Sequence, residues 1–171
     1  ENQFRNFSSL ELMNEIIVEQ INSCCKPNDI LIFNGDWSFG GFENIPIFRK
    51  LLNVKTIYFT YGNHDEHIIK NTKNYQSLFT SCSFRHNFTI GKQIIICDHF
   101  SKRVWEQSNK GSWMLYGHSH GNLDEYQSEA YYDQLLNKWD IKQYKTMDIG
   151  IDTHSDFRPY HFDEIKEIMG K

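Results

Sequence analysis

Apolar and polar residues alternate in blocks along the chain, and the blocks predict helices and strands in turn. Behind a helix cap at Ser8 or Ser9, apolar residues recur every three or four positions and predict an amphipathic helix that ends before Lys26. Its apolar positions are Leu12, Met13, Ile16, Ile17 and Ile21. The continuous apolar run between Asp29 and Asn34 predicts a strand that is covered on both faces.

The same pattern continues to the end of the chain. Two β runs, Phe84 to Ile90 and Gln93 to Cys97, flank Gly91-Lys92 and predict a hairpin. The other predicted strands are Thr56 to Thr60 or Tyr61, Trp113 to Tyr116 and Thr146 to Ile149, and the other predicted helices are Ile45 to Leu52 and Phe162 to Met169.

Four of the predicted strands run into short loops that carry Asp, Asn or His. These loops are Gly35-Asp36, Gly62-Asn63-His64-Asp65, Asp98-His99 and Gly117-His118-Ser119-His120-Gly121. Sites in α/β sheets gather at the carboxyl ends of strands, where distant loops meet on a rigid frame. The sequence therefore predicts one composite site.

The side chains in these loops are suited to a metal ion. The candidate ligands are Asp36, Asn63, His99, His118 and His120. Carboxylate, amide and imidazole donors together favour Mn, Fe, Zn or Ni over a thiolate site or an all-oxygen calcium site. A carboxylate such as Asp36 can bridge two ions through its two oxygens, and histidines two positions apart on a turn can serve neighbouring ions.

Composition narrows the class of protein. The 171 residues suit one domain, and a hydrophobic fraction of 39% excludes disorder. Since no apolar run approaches the roughly 20 residues of a membrane helix and the start is not signal-like, we expect a soluble, cytoplasmic protein without membrane contact. Eighteen basic against 22 acidic residues give a net charge of −4, which makes a nucleic-acid partner improbable. The four cysteines form no metal-binding spacing and are expected to be reduced thiols.

The ordered motifs G-D, G-N-H-D, a single His at a strand end and G-H-S-H resemble those of the calcineurin-like metallophosphoesterases. The stretches Gly35 to Gly40 and Asp148 to Pro159, with Trp105, are similar to a small, uncapped bacterial and phage branch of that family. The resemblance implies a four-layer α/β/β/α sandwich of two mixed sheets. It also implies metal-dependent hydrolysis of a small phosphoester, either a phosphodiester or a nucleotide-like molecule.

The resemblance assigns a role to each candidate residue. Asp36 would bridge two divalent ions, Asn63, His99 and His118 would complete the shell of the second ion, and His120 would belong to the first. A hydroxide bridging the ions would attack phosphorus, while His64 donates a proton to the leaving oxygen and Asp65 orients the ring of His64. Arg103 either contacts the substrate phosphate or forms a surface ion pair.

One motif of the family is missing. D-x-H at the end of the first strand should supply two ligands to the first ion, but Glu1 to Phe7 does not contain it. We therefore interpret residues 1–171 as a single metallophosphoesterase domain that lacks the first strand and its D-x-H. Asp152-Thr153-His154 is a second candidate for the missing pair; otherwise these two side chains are surface or turn residues.

Other interpretations stay open at this point. A non-catalytic interaction module would keep the same fold after losing its first metal site, and a nuclease would need a basic groove that a net charge of −4 does not suggest. Trp37, Phe39 and Tyr61 are expected in the core rather than in the site wall. The stretch Asn122 to Lys145, loosely helical in its spacing, either shapes substrate choice near the site or covers a sheet as a surface helix.

Overall fold

Two sheets with flanking helices make up the protein in a computed structural model that describes residues 7–39, 41–123 and 145–170. The first sheet is parallel in its described part and has the order β1-β2-β3. The second has the order β4-β5-β6-β7 and is mixed, because β4 and β5 are antiparallel whereas β6 and β7 continue in parallel. The strands are β1 (Ile30–Phe33), β2 (Thr56–Thr60), β3 (Ser81–Ser83), β4 (Arg85–Ile90), β5 (Gln93–Asp98), β6 (Trp113–Tyr116) and β7 (Thr146–Asp148).

The helices begin and end where local chemistry favours it. The side chain of Ser9 accepts a hydrogen bond from the Leu12 amide and so starts α1. At the last helix, His161 and Glu164 form a reciprocal capping box. The described α-helices are α1 (Leu10–Cys24), α2 (Asn44–Leu51), α3 (Glu66–Lys70), α4 (Thr72–Tyr75) and α5 (Phe162–Met169).

Packing on both faces of the first sheet produces the layers. One face, with Leu31 and Ile57, is buried against the apolar positions of α1, α2 and α3. Tyr58 lies on the opposite face and meets Phe88 of the second sheet, with ring centroids 5.1 Å apart. Ile165 of α5 packs with the second sheet. This is the expected sandwich of two sheets flanked by helices.

Every strand and helix predicted within the described residues is confirmed, with ends that differ by one or two positions. Short elements that were not predicted are α3, α4, β3 and the 3-10 helices Gln76–Leu78, Ser108–Lys110 and Ile151–Thr153. The segment Asn122 to Lys145 lies almost entirely outside the described residues, so its two interpretations stay predictions. None of the helices in the described ranges is long and apolar enough to cross a lipid bilayer.

Candidate metal centre

The carboxyl ends of β1, β2, β5 and β6 bring the four predicted loops together. Ligand atoms of Asp36, His99 and His118 all lie within 4.8 Å of one another. Asn63 joins them through its side-chain oxygen, which is 2.8 Å from Nε2 of His99. We refer to Asp36, Asn63, His99 and His118 as the central ligand group.

His99 is buried and its ring is fixed by the backbone. Nδ1 lies 2.7 Å from the carbonyl oxygen of Asn34, and because a carbonyl can only accept, Nδ1 carries the proton. The lone pair of Nε2 then faces Oδ1 of Asn63, and Oδ2 of Asp36 lies 3.5 Å away. Ligand atoms on one ion with bonds of about 2.1 Å lie about 3 Å apart at a right angle. The group therefore fits a divalent cation.

Two glycines allow the loops to approach each other closely. A Cβ atom at Gly62 would lie 2.2 Å from Oδ1 of Asp36, and one at Gly35 would lie 2.4 Å from Nδ1 of His99. Asp36 and His118 themselves have left-handed backbones, with φ of 58° and 65°. Such conformations cost energy in residues other than glycine, so the surrounding contacts must hold them.

Asp65 ties the first two loops together. Its buried carboxylate accepts hydrogen bonds from the backbone amides of Asp36 (2.7 Å), Trp37 (2.8 Å) and Gly62 (2.6 Å). Burial raises the pKa of Asp65, and the three donors oppose that rise. The contacts of both Asp65 oxygens are with backbone amides, and its role in orienting the ring of His64 stays a prediction.

His64 stands at the exposed edge of the central ligand group. Its backbone amide donates to Oδ1 of Asp36 at 3.0 Å, which fixes its position relative to that carboxylate. Its ring packs against Phe39, with centroids 4.9 Å apart. Phe39 is 70% exposed, so the prediction that it belongs to the core is wrong, whereas Trp37 and Tyr61 are buried as expected.

The surroundings of His118 favour its neutral form. Partial burial lowers the pKa of His118, and the neighbouring His99 lowers it further. Its ring centroid lies 5.0 Å from that of His99 and 4.5 Å from that of Phe100. Since only a neutral imidazole binds a metal, these contacts favour ligation.

His120 is not part of the cluster formed by Asp36, His99 and His118, and it contacts Asp152 through Nδ1. The side chain of Asp152 is only 3% exposed, so it is not the surface residue that was one expectation for it. We call these two residues the His120 pair. Asp148 braces the same loop, because its carboxylate accepts from the amides of Gly121 (3.0 Å) and Gly150 (2.8 Å), and burial raises its pKa.

The structure argues against Asp152 and His154 as a transplanted D-x-H pair. Nδ1 of His154 accepts from the amide of Asp156 at 3.1 Å, and its other nitrogen faces Glu164 at 3.8 Å. Asp152 instead faces His120, so the two side chains do not converge on one position.

Two features of this region were not predicted from the sequence: the contacts of Asp148 with the His120 loop and the contact of Asp152 with His120. Asp148 is the last residue of β7 and Asp152 follows it, and since β7 is parallel to β6, its carboxyl end meets the same edge. Applying the strand-end rule to β7 as well would have found them. Arg103 is exposed on the loop after His99, and its contact with substrate stays a prediction.

Comparisons with known proteins agree with this geometry. A model of the calcineurin-like phosphoesterase family matches residues 4–155. Among solved structures, the chain is similar to a protein of unknown function, AQ665 from Aquifex aeolicus, with 19% identity and a TM-score of 0.64. That alignment covers 97% of this chain and 88% of the other, and it shows the fold alone. No curated protein sequence matches significantly.

The family match spans most of the chain and includes all four predicted loops. Within the described residues, the loops also place a group of carboxylate and imidazole ligands at one edge of the two sheets. The chain therefore belongs to the calcineurin-like phosphoesterases, a family of metal-dependent phosphoester hydrolases.

Proposed function

We propose that this protein hydrolyses a small phosphodiester or nucleotide-like phosphoester at the central ligand group. The observation that carries the proposal is the convergence of Nε2 of His99, Oδ1 of Asn63 and Oδ2 of Asp36 beside His118. The donor set, one carboxylate, one amide and two imidazoles, suits Mn, Fe, Zn or Ni. Only one of these ligands is anionic, so a bound divalent ion keeps a positive charge for an anionic ester.

The residues around the ion divide the chemistry among them. Divalent ions supply an activated water as nucleophile and offset the charge of the phosphoryl group. Oδ2 of Asp36 would bind the ion, while Oδ1 accepts a hydrogen bond from the His64 amide. One carboxylate would therefore position both the ion and the proton donor. His64 donates its proton to the leaving oxygen, and its exposed ring is accessible to a substrate from solution.

A dinuclear centre is the finer part of this proposal. His120 and Asp36 would supply two ligands to another ion. The His120 pair supports this arrangement, because a carboxylate on one ring nitrogen of a histidine orients the other toward a metal.

Replacing His64 tests the catalytic assignment. We expect His64→Ala to lower the kcat for methyl phenyl phosphate, whose leaving phenolate needs a proton, by about 100-fold or more, as is typical for loss of a general acid or base, while bound Mn measured by elemental analysis stays unchanged. His67→Ala, at an exposed histidine of α3, is the matched control and should retain full activity. Full activity in His64→Ala would refute the role of His64.

The same experiment separates the enzyme from a non-catalytic module. A wild-type protein that binds Mn but hydrolyses no member of a panel of phosphoesters would favour the interaction module. Hydrolysis that depends on His64 would exclude it.

A further inference from the structure

A cavity of about 430 Å³ opens next to the metal centre and has Asn63 in its wall. This volume lies within the range of small-molecule sites, about 300–1,000 Å³. Its apolar lining is mainly aromatic and consists of Tyr61, Phe84 and Phe100, together with Ile69. A molecule bound there would have one end at the central ligand group.

Two of the aromatic rings are exposed although each packs against a neighbour. Phe84 is 64% exposed and contacts Tyr61, with ring centroids 5.1 Å apart. Phe100 is 42% exposed and contacts His118 at 4.5 Å. Arg85, the first residue of β4, pairs with Asp98, the last residue of β5. Phe84 and Phe100 therefore lie just beyond the same end of this antiparallel pair. Exposed aromatic surface at a cavity beside an active site is typical of ligand recognition.

The charges in the cavity favour an uncharged ring over a further phosphate group. Glu66 forms an ion pair with Lys70, and Asp98 lies 3.2 Å from the ammonium group of Lys102. The hydrogen bond from Lys70 lowers the pKa of Glu66, so this carboxylate is ionised at neutral pH and accepts hydrogen bonds. Both carboxylates are thus balanced by lysines, and the described lining offers no surplus of positive charge.

We infer that this cavity binds the planar heterocyclic base of a nucleotide whose phosphoryl group lies at the central ligand group. The base stacks on Phe84 and Phe100, and its N–H groups donate to the carboxylate of Glu66. The inference rests on the proposed phosphoester hydrolysis and specifies its substrate class. Asn63 and Phe100 connect the two parts, since each lines the cavity while contacting a metal-ligand histidine.

Two esters with the same leaving group test the inference. Thymidine 5′-monophosphate p-nitrophenyl ester and methyl p-nitrophenyl phosphate differ only in whether a nucleoside or a methyl group is attached. We expect Phe84→Ala to lower kcat/KM for the thymidine ester about tenfold, as for loss of base stacking, and to leave the methyl ester unchanged. Ile90→Ala, at a similarly exposed residue at the far end of the same ladder, should alter neither rate.

A binding measurement keeps this test separate from catalysis. In the presence of Mn, calorimetry should show tighter binding of thymidine 5′-monophosphate than of deoxyribose 5-phosphate, and Phe84→Ala should remove most of that difference. Equal losses for both esters, or an unchanged difference in binding, would overturn the base site. If the wild type hydrolyses neither ester yet prefers the nucleotide in calorimetry, the base site stands and the proposed hydrolysis fails.

Discussion

The central ligand group and the His120 pair are held in place in different ways. In the central group, three backbone connections converge: the Asn34 carbonyl on His99, the His64 amide on Asp36, and the amides that Asp65 gathers from two loops. The His120 pair is joined by a contact between two side chains, and the His120 side chain is 39% exposed. Backbone contacts thus position the central ligand group before an ion binds, whereas a contact between side chains orients the ring of His120.

Adding one methyl group at Gly62, beside the central ligand group, should have the largest effect on turnover. A Cβ atom at Gly62 would lie 2.2 Å from Oδ1 of Asp36 and 2.6 Å from its backbone nitrogen, so Asp36 must move. Misplacement by about 1 Å costs on the order of 100-fold in rate, and we expect Gly62→Ala to lose at least that much turnover of methyl p-nitrophenyl phosphate.

The matched control for this variant is Gly91→Ala in the β4-β5 turn. Unlike Gly62, Gly91 has a positive φ, and open space surrounds its added methyl group. It should lower stability slightly and leave turnover intact. Near-normal turnover in Gly62→Ala would show that the central group tolerates rearrangement, and the contrast with the His120 pair would fail.

Replacing Asp65 tests how much its three hydrogen bonds with backbone amides stabilise the loops of the central ligand group. Asp65→Ala leaves three backbone donors without their acceptor in a buried position, and each such loss costs about 1–3 kcal/mol. We expect urea denaturation to show a free energy of unfolding lowered by at least about 3 kcal/mol. A loss below about 1 kcal/mol would mean that other groups or water replace the carboxylate.

Asp152 should have a smaller, local effect. Loss of a carboxylate that orients a metal-binding histidine typically costs about 10- to 100-fold in metal affinity, and we expect Asp152→Ala to lie at the lower end for one ion. Titration with Mn should show that ion weakened and the ion of the central group unchanged. Asp152→Asn, which retains an oxygen, should recover part of the loss. Equal weakening of both ions would contradict the separation of the two regions.

The smallest expected effect is a change in stability with pH. The pKa of His118 is lowered in the folded protein, so the unfolded chain binds more protons as pH falls through the usual histidine value, about 6.5. The contribution of neutral His118 to the free energy of unfolding is therefore fully present above the unfolded pKa. It is lost as pH falls through the folded pKa of His118. Metal-free His118→Asn should therefore lose less stability than the wild type between pH 7.5 and 5. An identical pH dependence of the free energy of unfolding in both proteins would refute this contribution of His118.

Strong local patterns predicted most of the fold, and weak ones did not. Helix α1 has a cap and a full apolar face, so its sequence alone defined it. Strand β3 consists of Ser81-Cys82-Ser83 and contains no apolar run. It is a strand because it pairs with β2. Tertiary contacts rather than local preference form such elements.

The site shows the same division between local and distant causes. The convergence of Asp36, His99 and His118 could be predicted from residue types and strand ends, since both are visible in short motifs. The contacts of Asp65 with amides from two loops depend on how the chain folds back, which no motif records. Asp152 lies 32 positions from His120, and its proximity likewise follows from the strand order.

The β4-β5 turn offers a practical site for attachment. A Cβ atom at Gly91 would meet no atom within 4 Å, and Lys92 beside it is exposed. β5 has six residues, which at about 3.3 Å each place the turn roughly 20 Å from His99. A fluorophore or a surface tether coupled there would face away from the metal centre, so immobilised protein should keep its site open to substrate.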